Sequence, residues 1–174
     1  VFQAGVTPHA ILPNCGLFQV TEPERFAAEK RLPVVVRDRI KQVCGEYLGA
    51  YGLRPRPETE LADPVRVVET APAPGRPFPP TYLSVGTADP IASDTPRLAR
   101  ALERWSVACE LDVYPGETHA FHALLWRKAA RACWDAQLAF LARHLPPGRR
   151  RGDARGLAPT DSRQTQPRFR IKLL

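Results

Sequence analysis

Two short apolar runs, each ending in a turn that carries one titratable side chain, constrain this chain more than anything else in it. The first is Tyr82-Leu83-Ser84-Val85-Gly86, followed by Thr87-Ala88-Asp89-Pro90. The second covers residues 107–113 and runs through Tyr114 into Pro115-Gly116-Glu117-Thr118-His119. Residues 82–86 are too few for a helix and lie between prolines and a glycine, which predicts a buried strand. Residues 107–113 are β-branched at both ends and meet a Pro-Gly turn, which predicts a second strand. Between them Ser93 or Asp94 can cap a helix. Pro96 falls in its first turn, and Leu98, Ala101, Leu102 and Trp105 recur at helical spacing.

Strand, helix and strand within about 30 residues make a βαβ unit, with parallel strands and a right-handed crossover. Parallel strands end on the same edge of their sheet, the edge at which open α/β sheets place ligands. If the two strands are neighbours they lie roughly 5 Å apart, so the loops carrying Asp89 and His119 can touch. A carboxylate that accepts from one imidazole nitrogen fixes the tautomer and leaves the other nitrogen to act as a base. Taken singly, Asp89 before proline is also a turn opener, and His119 after a Pro-Gly turn is also an ordinary loop histidine. Together, at the ends of successive strands, they read as an acid–base pair. His122 reads as a packing or supporting residue, and His9 and His144 as structural.

The stretch Pro-Pro-Thr-Tyr-Leu-Ser-Val-Gly-Thr-Ala-Asp89-Pro90-Ile91, followed by Tyr114-Pro-Gly-Glu-Thr-His119-Ala-Phe121, resembles the C-terminal part of an α/β-hydrolase. The group it is most similar to is the hormone-sensitive-lipase-like esterases and lipases. The likeness covers residues 7–145, and the two loops are its specific part. The fold it implies is α/β: the C-terminal half of a hydrolase domain, a mostly parallel sheet flanked by helices, over residues 1–147. The chain order of the triad in such hydrolases is Ser, then Asp or Glu, then His. The resemblance therefore implies Asp89 as the acid and His119 as the base of a carboxylic-ester hydrolase, with a small ester as substrate and no cofactor. It also places residues 16–31 in the cap over the acyl pocket, which makes Phe18 and Phe26 candidates to line it; ordinary packing is the competing reading.

A serine hydrolase also needs its nucleophile on a Gly-x-Ser-x-Gly turn and a glycine-rich oxyanion loop. The chain holds four serines, Ser84, Ser93, Ser106 and Ser162, and none is flanked in that way. The sequence starts at Val1 and has no methionine, so the expectation is a fragment that contributes the acid and base and lacks the nucleophile, inactive by itself. A hydrolase-like binding or interaction protein without a nucleophile is the alternative. Half a sheet leaves an unprotected edge, which predicts poor solubility or self-association.

Elsewhere, residues 1–5 read as the end of a helix closed by Gly5, and residues 8–15 as a core strand despite Pro13. A short helical turn is expected around Pro23, Glu24, Arg25 and Phe26. Residues 34–51 form an amphipathic helix with Val36, Ile40, Val43 and Tyr47 on its apolar face, stopped by Gly52. Residues 54–80 carry eight prolines and read as loop, with Asp63 in a turn or cap role. Residues 121–144 are expected to be the longest helix, with Leu125, Ala129, Ala132, Ala136 and Phe140 as its stripe. Trp126 and Trp134 read as core or cap contacts.

Residues 148–174 differ in composition, being rich in Arg, Gly, Ala, Pro, Ser, Thr and Gln, and read as a basic disordered tail. Much of the net charge of +7 comes from it. Such a tail can attract nucleic acid or an anionic membrane, but no aromatic platform or nucleic-acid motif accompanies it, and it reads as a solvated extension. Cys15, Cys44, Cys109 and Cys133 are widely spaced within apolar elements, as reduced buried thiols are, and form no metal pattern. No signal peptide and no membrane-length apolar run is seen; a cytoplasmic location is the expectation, with two disulfides open to the four cysteines if the protein is exported.

Overall fold

A computed structural model describes residues 8–145 and, for the backbone, 170–173. The expected helix end at residues 1–5 lies outside these. The element order is α1 (Arg25–Glu29), α2 (Val34–Leu48), a 3-10 turn (Gly49–Tyr51), a second (Pro57–Ala62), α3 (Pro64–Thr70), β1 (Thr81–Gly86), α4 (Asp94–Arg104), β2 (Cys109–Tyr114), a third 3-10 turn (Phe121–Ala123), α5 (Lys128–His144) and β3 (Arg170–Leu173).

β1 and β2 are parallel neighbours, with Leu83 opposite Leu111 and Gly86 opposite Tyr114. Successive side chains of a strand alternate between faces, and both faces here are covered. Leu83, Val85, Cys109 and Leu111 meet Leu98, Ala99 and Leu102 of α4 and Val65 and Val68 of α3 in the main core cluster. On the other face the Tyr82 ring lies 5.7 Å from Phe140 of α5, and Tyr114 and Phe121 cluster with Cys133. A strand buried on both sides reads as a near-continuous apolar run, and all six residues of β1 are buried. Leu83 is fully buried at its centre. Leu83→Ala is expected to cost about 2–5 kcal/mol, read as a lower midpoint in urea unfolding.

The segment before α1 runs parallel to β1 on its other side. It does so through isolated bridges, Ile11 to Thr81 and Asn14 to Ser84, rather than as the expected strand. Pro13 has no N–H to offer between them. On the outer side of β2 the order β1-β2-β3 is completed by Arg170–Leu173, with Leu111 opposite Ile171. These four residues belong to the stretch expected to be disordered. An alternating Arg-Ile-Lys-Leu pattern is compatible with a short strand, and β2 offers it an open row of backbone groups. The rest of the basic tail lies outside the described residues.

Three further expectations change. Residues 54–80 are not all loop, because α3 starts with Pro64 at a first-turn position where proline is tolerated. Asp63 stands at its N-cap position, as expected, without a side-chain cap bond; its carboxylate instead accepts from the backbone N–H of Val20 at 2.7 Å and of Thr21 at 2.9 Å and from the Thr21 hydroxyl, pinning the loop before α1. The long C-terminal helix is broken, with a 3-10 turn at Phe121–Ala123 and α5 starting only at Lys128 after an extended Arg127. Its buried face is Ala130, Cys133, Gln137 and Phe140, while Leu125 and Trp126 are exposed. Finally, α2 buries Cys44 and Leu48, and the expected apolar face is largely open, with Val43 41 % and Tyr47 70 % exposed.

Candidate active site

The turn after β1 and the turn after β2 are stitched together by backbone. The N–H of Thr87 donates to the carbonyl of Tyr114 at 3.0 Å, and that of Ala88 to the carbonyl of Glu117 at 2.9 Å. The Thr87 hydroxyl accepts from the N–H of Gly116 at 2.8 Å. The approach is so close that a Cβ on Gly86 would sit 2.0 Å from the Glu117 carbonyl oxygen, so glycine is required there.

This stitching brings Asp89 and His119 together. His119 Nδ1 lies 3.0 Å from Asp89 Oδ2. The other carboxylate oxygen accepts from the N–H of Ile91 at 2.9 Å. Asp89 is fully buried, whereas the imidazole is 51 % exposed, so the carboxylate is held from beneath and the ring faces outward. The Asp89 hydrogen bond raises the His119 pKa above its ordinary value of 6.5, against a weaker opposing effect of burial. Directly after it, Ala120 adopts a left-handed conformation with φ of 56°, which turns the chain sharply into Phe121.

Lys30 adds a contact that sequence reasoning missed. Its ammonium donates to the carbonyl of Asp89 at 2.9 Å and to that of Thr87 at 3.3 Å, tying the residue after α1 to the Asp89 loop. Asp94 and Glu117, the other carboxylates near these loops, are committed elsewhere. Asp94 pairs with Arg25 at 2.7 Å and accepts from the N–H groups of Phe18 and Gln19, and Glu117 pairs with Arg127 at 3.0 Å.

His119 borders a cavity of about 650 Å³ lined by Cys15, Leu17, Val35, Val36, Arg39, Ile40, Val43, Pro90 and Ile91. That size and apolar character suit a small organic ligand. Phe18 and Phe26 are not among its walls. Phe18 packs in the main core cluster with Val65 and Leu83, and Phe26 is buried beneath the Arg25 guanidinium, 3.9 Å from its ring centre, beside a separate cavity of about 240 Å³. The walls instead come largely from α2, whose apolar stripe supplies Val36, Ile40 and Val43.

Cys15 lies at the edge of this cavity with φ of 49°. Burial pushes its thiol up to about 11, with a smaller opposing effect from a backbone hydrogen bond at Ala120, so it is protonated at neutral pH. All four cysteines are free and buried. His122 packs edge-on between Phe121 and Trp134, and burial together with His119 lowers its pKa. His144 stacks 4.3 Å from Phe140, and His9 is exposed. Ser84 is buried, donating to Asn14. Among the described residues no group of three or more His, Cys, Asp or Glu is placed to hold a metal, and no helix is long and apolar enough to cross a membrane.

A parallel sheet between helices, with a carboxylate and an imidazole in contact at the carboxyl ends of its strands, is an α/β architecture. A family model described as the alpha/beta hydrolase fold matches residues 3–123, and the chain belongs to that family. The hormone-sensitive-lipase-like resemblance read from the two loops falls within it. Among solved structures, one of an esterase superposes with a TM-score of 0.62 at 20 % identity, covering 83 % of this chain and 43 % of its own. An esterase/lipase from an uncultured bacterium gives 0.61 at 16 %, covering 82 % and 46 %. An esterase of Pyrobaculum calidifontis gives 0.54 at 13 %, covering 79 % and 44 %. At these identities the likeness is one of fold, and the chain spans less than half the length of each. No curated protein matches the sequence.

Proposed function

We propose that this chain supplies the acid and base of a serine-type carboxylic-ester hydrolase, Asp89 orienting His119 and His119 activating a serine that lies outside these 174 residues. The observation that carries the reading is the 3.0 Å contact between a fully buried Asp89 and a half-exposed His119. Asp89 holds Nδ1, so Nε2 is left to take the proton of a serine hydroxyl as it attacks the ester carbonyl. The imidazolium, stabilised by Asp89, then returns that proton to the departing alcohol. Water, deprotonated by the same nitrogen, releases the acid from the acyl-enzyme. The apolar cavity beside His119 fits the ester's hydrocarbon part.

A second reading is a hydrolase-like binding protein, favoured by the lack of any glycine-flanked serine among the four in the chain. Fluorophosphonate labelling of the native gene product, read by intact mass, separates the two. A labelled species above 19.4 kDa supports the hydrolase; an unlabelled product of this length supports the binding protein.

A further inference from the structure

Glu117 joins the turn that carries Asp89 to the start of α5. Its carbonyl accepts from Ala88 in the acid's turn, and its carboxylate, 10 % exposed, reaches Arg127 Nη2 at 3.0 Å. Arg127 is the residue that leads into α5, whose Ala130, Cys133 and Phe140 are buried against the sheet. His119 follows Glu117 by two residues and is itself half exposed, so little packing fixes its ring directly.

We infer that the Glu117–Arg127 pair is a positioning device for His119, anchoring the loop of the base to the start of α5 and thereby setting the imidazole over Asp89. This rests on reading His119 as the base. The second carboxylate oxygen of Glu117 is buried without a hydrogen-bond partner, so the Arg127 contact carries the whole polar satisfaction of that side chain. Removing the guanidinium leaves a buried, uncompensated carboxylate, which is costly enough to drive the side chain outward toward water. The backbone follows, because the turn between Glu117 and the left-handed Ala120 is too tight to absorb the movement. His119 then loses its alignment with Asp89. Other ion pairs on this helix have no such reach: Arg143 meets Glu110 of β2 at 2.8 Å, at the far end of α5.

The test is the titration of His119, followed by NMR through its ring C–H signal in the full chain, in Arg127→Ala and the control Arg143→Ala. The sign decides between mechanisms. Through-space electrostatics alone makes loss of the Arg127 charge raise the histidine pKa. Positioning makes it fall in Arg127→Ala, toward the ordinary 6.5, because the Asp89 hydrogen bond weakens. Arg143→Ala leaves it unchanged. An unchanged or raised pKa in a folded Arg127→Ala protein overturns the inference, even if its melting temperature drops. Should that variant not fold, Arg127→Met, which removes the charge and keeps the aliphatic stem, gives the same readout. In a product that turns over ester, kcat falls by up to about 10²-fold with KM unchanged. A lowered His119 pKa without any fluorophosphonate label would instead sink the hydrolase reading while leaving the positioning geometry intact.

Discussion

In a gene product that carries its nucleophile, His119→Ala is expected to lower kcat by about 10⁶-fold, the scale on which serine hydrolases lose turnover when their base is removed. That corresponds to about 8 kcal/mol of transition-state stabilisation. No structural role available to this side chain reaches such a value. The ring is half exposed and makes one hydrogen bond, to Asp89, and such a bond contributes about 1–3 kcal/mol to stability. The measurement is steady-state hydrolysis of a chromogenic ester beside a urea unfolding curve for each variant. A collapse in kcat with a nearly unchanged midpoint marks chemistry. Equal, modest losses in both would mean that His119 is an ordinary loop residue and the hydrolase reading fails.

The elements that hold this pair were legible because their signals are local. The runs at 82–86 and 107–113 are short, apolar and bounded by proline and glycine, and the structure gives Thr81–Gly86 and Cys109–Tyr114 in parallel register. What periodicity does not reveal is what an apolar stripe faces. Val36, Ile40 and Val43 recur at helical spacing whether they meet a core or an open cavity, and here they line the cavity beside His119. The placement of residues 16–31 over the pocket, taken from the resemblance, does not put Phe18 or Phe26 on the walls of this cavity; Phe18 packs in the main core and Phe26 is buried. The break before α5 was hidden because Leu124, Leu125 and Trp126 continue an apolar pattern while Arg127 is extended. α3 was masked by the surrounding prolines, and the strand Arg170–Leu173 by its polar context. Lys30 carries no sequence signal at all. Its contact with the Asp89 carbonyl follows from tertiary docking of the segment after α1.

Asp89→Asn is the second large effect expected, about 10⁴-fold in kcat. An amide nearly matches the carboxylate in shape, so burial is kept, but two things are lost. The amide can present its N–H to Nδ1, which shifts the proton to Nε2 and leaves the wrong tautomer for taking a serine proton. The charge that stabilises the imidazolium also disappears. Both act on His119 titration with a definite sign. In the native chain the Asp89 hydrogen bond raises that pKa and burial opposes it; without Asp89 only the lowering influence of burial remains, so the pKa falls below 6.5. The acid limb of the rate profile, which needs neutral imidazole, therefore moves to lower pH as the maximum rate drops. Stability changes in the matching direction. A histidine whose folded pKa is raised contributes stabilisation fully below its unfolded pKa and loses it as pH rises through the folded value. Asp89→Asn should accordingly narrow the stability gap to wild type as the pH rises above 6.5, beside the loss of rate. If the variant retains both its rate and the native His119 titration, the acid is another carboxylate. Asp94 and Glu117 would have to leave Arg25 and Arg127 to serve, which makes Asp89 the stronger assignment.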